Sequence, residues 1–271
     1  LCHTAAQEPA LQGRLWAYLT DIPQKAELMD AATRQRIETI IDACAYVLCQ
    51  TPQMRDYFVS LFPQAGEKAR LLPPIVPQQP ARDGAAAIPD EPFRFSYAGK
   101  FAPGWGIRDL FAAQKKLYAA LPDAELHVFG DKIHKPADDP GFQSTVQDRL
   151  SAGEGLYWHG AVDRDELLRR LTGMHVCWAY RDPVFERETL ELSTKVLEYA
   201  SLGLPMILAR SQVFEALLGA DYPLFAATAD EATELLLRLA REPAFRKTAA
   251  ARLEEAATRY TFAAVRERLL N

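Results

Sequence analysis

Apolar residues follow two rhythms along this chain: short continuous runs, and longer stripes spaced three and four apart. Runs bounded by turn residues predict buried strands, and stripes predict amphipathic helices. In the first part, residues 14–20 read as a strand ending at Asp21. Residues 30–44 read as a helix with Ile37, Ile40, Ile41 and Cys44 on one stripe, and 45–49 as a second strand. Thr51-Pro52 marks a helix start: a hydroxyl cap, then a proline where a missing N–H costs nothing. Met54, Tyr57, Phe58 and Leu61 form that helix's apolar face, and residues 70–72 give a third strand. From Pro73 to Pro92 the periodicity disappears and proline and alanine accumulate, which marks a linker.

Beyond the linker, strands and helices alternate. Strands are predicted at 93–98, 125–129, 156–158, 175–180, 204–209 and 223–226. Helices are predicted near 105–121, 141–152, 164–172, 194–202, 211–219, 229–241 and 243–257, with a last helix starting at Tyr260-Thr261-Phe262. Such alternation predicts an α/β fold whose parallel sheet is covered on both faces. Ligands bind at the carboxyl ends of the strands in these sheets. Lys100, Asp131, Arg181 and Ser193 each follow a predicted strand and fall on that edge.

Composition narrows the possibilities. A chain of 271 residues, 49% hydrophobic, can bury one large core or two modest ones. The net charge of −5 is interspersed rather than in blocks, which argues against a dedicated nucleic-acid binder but allows local phosphate binding. No run has the length of a membrane span and no leader pattern is present, so a cytoplasmic location is expected, with peripheral membrane contact left to residues outside this chain. Cys2, Cys44, Cys49 and Cys177 lack zinc-ligand spacing and read as reduced thiols. No histidine–carboxylate set has metal-ligand spacing, so no metal is expected. His127 and His175 fall in strands and read as structural, His159 as a packed core-edge histidine, His134 as solvated. The chain opens on Leu1 within a helical pattern, which reads as a fragment or a chain lacking its N-terminal part.

The densest chemistry lies in residues 193–207, Ser-Thr-Lys-Val-Leu-Glu-Tyr-Ala-Ser-Leu-Gly-Leu-Pro-Met-Ile. Ser193 or Thr194 can cap a helix whose N–H groups and dipole favour an anion. Lys195 stands in the first turn, where a cation opposes the dipole, and an anionic ligand is the simplest reason for it. Glu198 lies one turn on, on the same side. A phosphate-plus-hydroxyl ligand suits this set; a capped helix with an exposed Lys–Glu pair suits it too. Gly99, Gly104 and Gly106 surround Lys100 in a turn where the backbone can approach a phosphate. An ordinary strand–turn–helix with a solvated lysine fits the same residues.

The 193–207 segment resembles the "P-x-K-hydrophobic-hydrophobic-E-hydrophobic-x-A-x-G-x-P-V-I" motif of GT-B nucleotide-sugar glycosyltransferases, particularly family 4. Tyr97-Ala98-Gly99-Lys100-Phe101 is similar to their "hydrophobic-G-R/K-hydrophobic" strand end. Residues 126–131 and 158–162 resemble two further strand ends between these, and 42–51 resembles a recurring first-domain segment. The resemblance implies a GT-B-like α/β fold: residues 1–77 as the end of an N-terminal, acceptor-side Rossmann-like domain, 78–92 as linker, 93–258 as the donor domain, and 259–271 as a helix crossing back. It implies an enzyme, a hexosyltransferase acting with retention on a UDP or GDP sugar, without a metal or other cofactor. The acceptor would be a glycan, lipid or small molecule. Lys100 and Lys195 would stabilise the leaving diphosphate; Gly99, Arg108, Arg181, Ser193, Thr194 and Glu198 would bind donor, with Glu198 on the ribose.

Three departures qualify this. Trp105 occupies the place of a second basic residue, so either Arg108 substitutes or one phosphate contact is missing. Leu190 stands where the first of two spaced glutamates is usual; Glu188 and Glu191 read as solvated loop carboxylates, with reaching into the site as the alternative for either. Asp21 takes the place of a family histidine and reads equally as an acceptor-orienting base or as an N-cap. A non-catalytic nucleotide- or partner-binding module is the rival reading, and a nucleotide-sugar epimerase a third.

Overall fold

The computed structural model describes residues 2–18, 20, 22–77 and 88–270. The N-terminal unit runs α1 (Cys2–Ala6), β1 (Leu15–Tyr18), α2 (Ala31–Ala43), β2 (Cys44–Cys49), α3 (Pro52–Leu61) and β3 (Ala69–Leu71). Its strands form a parallel sheet in the order β1-β2-β3. Local chemistry sets the helix starts: Asp30 accepts from Thr33 N and Thr51 from Met54 N, with Pro52 in the first turn. Ile37, Ile40 and Ile41 of α2 meet Val47 of β2 and Met54 and Phe58 of α3 in a core of their own. The first strand is shorter than its apolar run, and Asp21 lies outside the described residues.

After residues 78–87, also outside the description, come β4 (Arg94–Ala98), α4 (Ile107–Ala120), β5 (Glu125–Phe129), α5 (Phe142–Leu150), β6 (Leu156–Trp158), α6 (Arg164–Leu171) and β7 (Val176–Trp178). The chain continues through α7 (Pro183–Glu188), α8 (Thr194–Ser201), β8 (Met206–Ala209), α9 (Gln212–Leu218), β9 (Phe225–Ala226), α10 (Ala229–Arg241), α11 (Pro243–Thr258) and α12 (Phe262–Leu270). All strand pairs are parallel, in the order β6-β5-β4-β7-β8-β9. The sheet grows outward from β4 to β6, then restarts at β7 on the other side of β4. A crevice opens where the direction of winding reverses, so the segments following β4 and β7 flank a natural ligand position.

Two local features shape that edge. Gly106 has φ 66°, and a Cβ there would collide with the Tyr180 carbonyl oxygen; only glycine lets the turn after β4 close against the end of β7. The stretch after Tyr180 holds a helix that its length as a connection concealed: Asp182 accepts from Val184 N and Phe185 N, and Pro183 follows at the first position. At the far end of the chain, Val76 N donates to Tyr260 O at 3.0 Å, joining the segment before α12 to the end of the N-terminal unit.

Candidate functional site

A cavity of about 620 Å³ lies at the switch point, between the β7–α8 segment and the N-terminal unit. Trp105, Arg181, Ser193, Thr194 and Lys195 form its inner wall. Ser193 occupies the N-cap position of α8, yet its side chain makes no capping bond, so the first N–H groups of the helix lack a side-chain acceptor. Lys195 folds back over the end of β4, donating to Ala98 O at 3.3 Å. A Cβ on Gly99 would stand 3.0 Å from Lys195 Nζ, so the glycine leaves the ammonium its place.

Two cations meet here around one indole. The Arg181 guanidinium carbon is 4.9 Å, and Lys195 Nζ 5.7 Å, from the Trp105 ring centroid. Burial pulls the Lys195 ammonium below its ordinary pKa, and the positive charge of Arg181 pushes the same way. Of the nearby carboxylates, Glu186 stands against Arg181 and Glu198 against Arg164. Glu186, almost wholly buried, lies 3.4 Å from Arg181 Nε, and its carboxyl is raised by burial more than Arg181 lowers it. Glu198 accepts from Arg164 Nε at 2.6 Å. The inner wall is therefore a desolvated positive surface beside a helix N-terminus, an arrangement made for an anion.

The outer wall comes from the N-terminal unit: Gln24, Lys25, Leu28 and Gln50. Leu190 N donates to Gln24 Oε1 at 2.7 Å, Leu192 N to Gln50 Oε1 at 3.2 Å, and Thr51 Oγ1 to Leu190 O at 2.6 Å. Lys25 pairs with Glu188 at 2.8 Å. Leu190 packs against the N-terminal core, which explains an apolar residue at that position. Glu188 and Glu191 both line the cavity.

The sequence-predicted residues thus divide. Arg181, Ser193, Thr194 and Lys195 converge; Lys100 is exposed on the loop after β4. Arg108 is turned away: its guanidinium bonds Asp139 at 2.6 Å and lies over the Phe142 ring, so it does not fill the place Trp105 takes. Ser193 sits at the N-cap but does not cap. His159 stacks with Phe129 and His127 and bonds Arg170, as a packed histidine should. Sequence reasoning missed Trp105 as a platform, Glu186 and Arg164 as partners, and Gln24, Lys25 and Gln50 altogether. The Asp182-Pro183 start signal alone could have placed Glu186 on a helix.

Among the described residues no group of three His, Cys, Asp or Glu side chains is placed to hold a metal, and no helix is long and apolar enough to cross a membrane. The chain is similar in structure to sucrose-phosphate synthase from Thermosynechococcus elongatus (TM-score 0.65, 18% identity), covering 91% of this chain and 62% of that one. It is similar to Anabaena HepE, solved with UDP and glucose (TM-score 0.70, 12% identity, 94% of this chain and 70% of that one). It is also similar to WaaG, a glycosyltransferase involved in lipopolysaccharide biosynthesis (TM-score 0.64, 13% identity, 94% and 73%). At these identities the likeness shows the fold, and the chain spans less than two thirds of the synthase's length. No curated protein matches the sequence. The family model described as "Glycosyl transferase-like" matches residues 108–271, more than half of the chain. The chain therefore belongs to the glycosyl transferase-like family, carried on a GT-B fold.

Proposed function

We propose that this chain forms the donor-binding part of a retaining glycosyltransferase of the family 4 kind, moving a hexose from a UDP-sugar to a hydroxyl acceptor. The observation that carries the reading is the convergence of Arg181 and Lys195 at the α8 N-terminus, with no carboxylate of the described residues paired to Lys195. A diphosphate supplies the missing negative charge. Structures of HepE with UDP-glucose and with UDP support uridine as the base, and the likeness of residues 193–207 to family 4 supports retention.

In the proposed reaction, the bond between sugar C1 and the diphosphate oxygen breaks and its electron pair moves to the diphosphate. Lys195, Arg181 and the α8 N–H groups are already in place where that charge grows, so little reorganisation is needed. Lys100, on the loop after β4, adds a further cation. Glu198 holds the ribose hydroxyls, while Arg164 on one carboxylate oxygen fixes its direction. The acceptor oxygen bonds C1 and its proton passes to a base, for which Asp21 is the candidate.

Thermal shifts with UDP, GDP and ADP test this. UDP at about a hundred times its dissociation constant should add about 2.7 kcal/mol of stability. Glu198→Gln should weaken UDP by about tenfold, as for one charge-assisted hydrogen bond. No shift with any of the three, or a UDP shift unchanged by Glu198→Gln, contradicts the reading.

A further inference from the structure

Away from the cavity, a row of four side chains runs from α6 past the end of β6 to β5, and its two ends impose a direction on it. Arg170 Nη1 lies 2.8 Å from His159 Nδ1, His159 Nε2 lies 3.0 Å from His127 Nδ1, and His127 Nε2 lies 3.1 Å from Glu125 Oε2. A guanidinium can only donate, so His159 Nδ1 accepts and the proton of that ring sits on Nε2. This N–H donates to His127 Nδ1. The His127 proton then sits on its own Nε2 and is donated to the carboxylate, which can only accept. Both imidazoles are therefore neutral, each in one tautomer. The planes of the two rings differ by only 5°, which suits a bond lying in both.

Of the described residues, charged neighbours hold each end. Arg94 of β4 donates its Nε–H to the same Glu125 oxygen at 3.0 Å. Glu166 of α6 accepts from Arg170 Nε at 2.6 Å and also pairs with Arg169. Tyr157 of β6 lies against the His127 ring, and Phe129 of β5 against the His159 ring. The first residue of α6 is Arg164, which bonds Glu198, so the row ties down the helix from which Glu198 is held.

We propose that this row is a pH-sensitive clasp between α6 and the sheet: it is closed while both histidines are neutral, and one added proton opens it. A proton on His159 Nδ1 sets two N–H groups face to face at Arg170. One on His127 Nδ1 does the same at His159. If His159 yields by shifting its own proton to Nδ1, the clash passes on to Arg170. Every placement costs the row one bond and leaves a donor facing a donor. Burial holds both imidazoles below their ordinary 6.5; Glu125 opposes it at His127, while His127 and Arg170 add to it at His159. The unfolded chain takes up protons near 6.5 that the native row excludes. The contribution of the row is thus complete above that pH and is lost as the solution is acidified through the folded values. The proposal is independent of what the cavity binds.

Long-range proton–nitrogen NMR spectra of the chain labelled at histidine, recorded from about pH 5 to about pH 8, test the row directly. His127 and His159 should both be mainly neutral near pH 6.5, where an unperturbed histidine is half protonated, with the proton on Nε2. The double variant His127→Gln, His159→Gln assigns their signals by removing them. It keeps an acceptor and a donor at each position but cannot take up the proton. On acidification from about pH 7.5 to about pH 5.5, the parent's melting temperature should fall about 2–4 °C further than the variant's, the size of one lost hydrogen bond in a chain of this length. Arg170→Met removes the donor that keeps a proton off His159 Nδ1, so both titrations should move to higher pH. Either ring neutral with its proton on Nδ1, or half protonated at or above about pH 6.5 in the parent, overturns the proposal. So does an equal acid loss in parent and double variant, or a titration unmoved by Arg170→Met. Should the double variant fail to fold, the single variants assign the signals, and the parent spectra with Arg170→Met decide.

Discussion

Arg181 and Lys195 reach the same cavity from opposite ends of one segment and both lie over the Trp105 ring, the guanidinium at 4.9 Å and the ammonium at 5.7 Å from its centroid. Two like charges side by side are costly in a half-buried place. An aromatic face between them offsets part of that cost, and a bound dianion would offset the rest.

This arrangement separates stability from binding at Lys195. Lys195→Met removes a desolvated cation, so the ligand-free chain should melt at the same temperature or higher. UDP affinity should fall tenfold or more. Differential scanning calorimetry with and without UDP reads both; a lower melting point together with intact UDP binding would contradict the account.

The lowered Lys195 pKa also has a sign for pH. Burial and Arg181 hold it below the ordinary 10.5, while an anion restores the proton. UDP affinity should therefore decline as pH rises through the folded pKa of Lys195. For folding, the unfolded chain holds more protons between that value and 10.5, so this group's contribution to stability rises with pH across the window. Titrations with UDP from neutral to alkaline pH, compared with Lys195→Met, isolate the effect: the variant should lose the alkaline decline.

Trp105→Ala should destabilise the ligand-free chain by about 1–2 kcal/mol through loss of two cation–π contacts of roughly 0.5–1 kcal/mol each, read by urea denaturation. Trp105→Phe should lose less. Equal stability of all three proteins would show that the ring only fills space.

Gly106→Ala places a Cβ on a left-handed residue against the Tyr180 carbonyl. Urea denaturation should show a loss of about 2 kcal/mol or more, since strain of about 1–3 kcal/mol adds to the collision. A change within about 0.5 kcal/mol would mean that the turn after β4 moves freely from β7.

The βα alternation was legible in the apolar periods, and the cap at Thr51 because local chemistry sets it: its hydroxyl accepts from Met54 N within its own first turn. Lys195 was legible for the same reason, being a cation misplaced in a first turn. Gln24 and Gln50 were not, because only docking of the N-terminal unit on residues 190–192 brings them to the cavity. Trp105 read as a missing lysine, since spacing cannot show that an aromatic face gathers cations from elsewhere. Arg108 misled: its position in the turn was suitable, but Asp139, 31 residues away in sequence, holds its side chain.

Glu186 gives a second pH signature. Its folded pKa is raised above the ordinary 4.5 by burial, so between those values the native chain holds a proton that the unfolded chain lacks. Its contribution is present at acid pH and declines as pH rises across that window. In thermal melts from pH 4.5 upward, Glu186→Gln should abolish this decline and melt no lower than the parent at neutral pH. A much lower neutral melting point would mean that the pair with Arg181 outweighs the burial cost.

Calorimetric titration of UDP into the parent chain, Lys195→Met and Arg181→Ala is the most direct measurement of the central claim. The parent should bind saturably, and each variant should lose tenfold or more. UDP binding of equal strength in all three proteins would contradict it and move the diphosphate away from the α8 N-terminus.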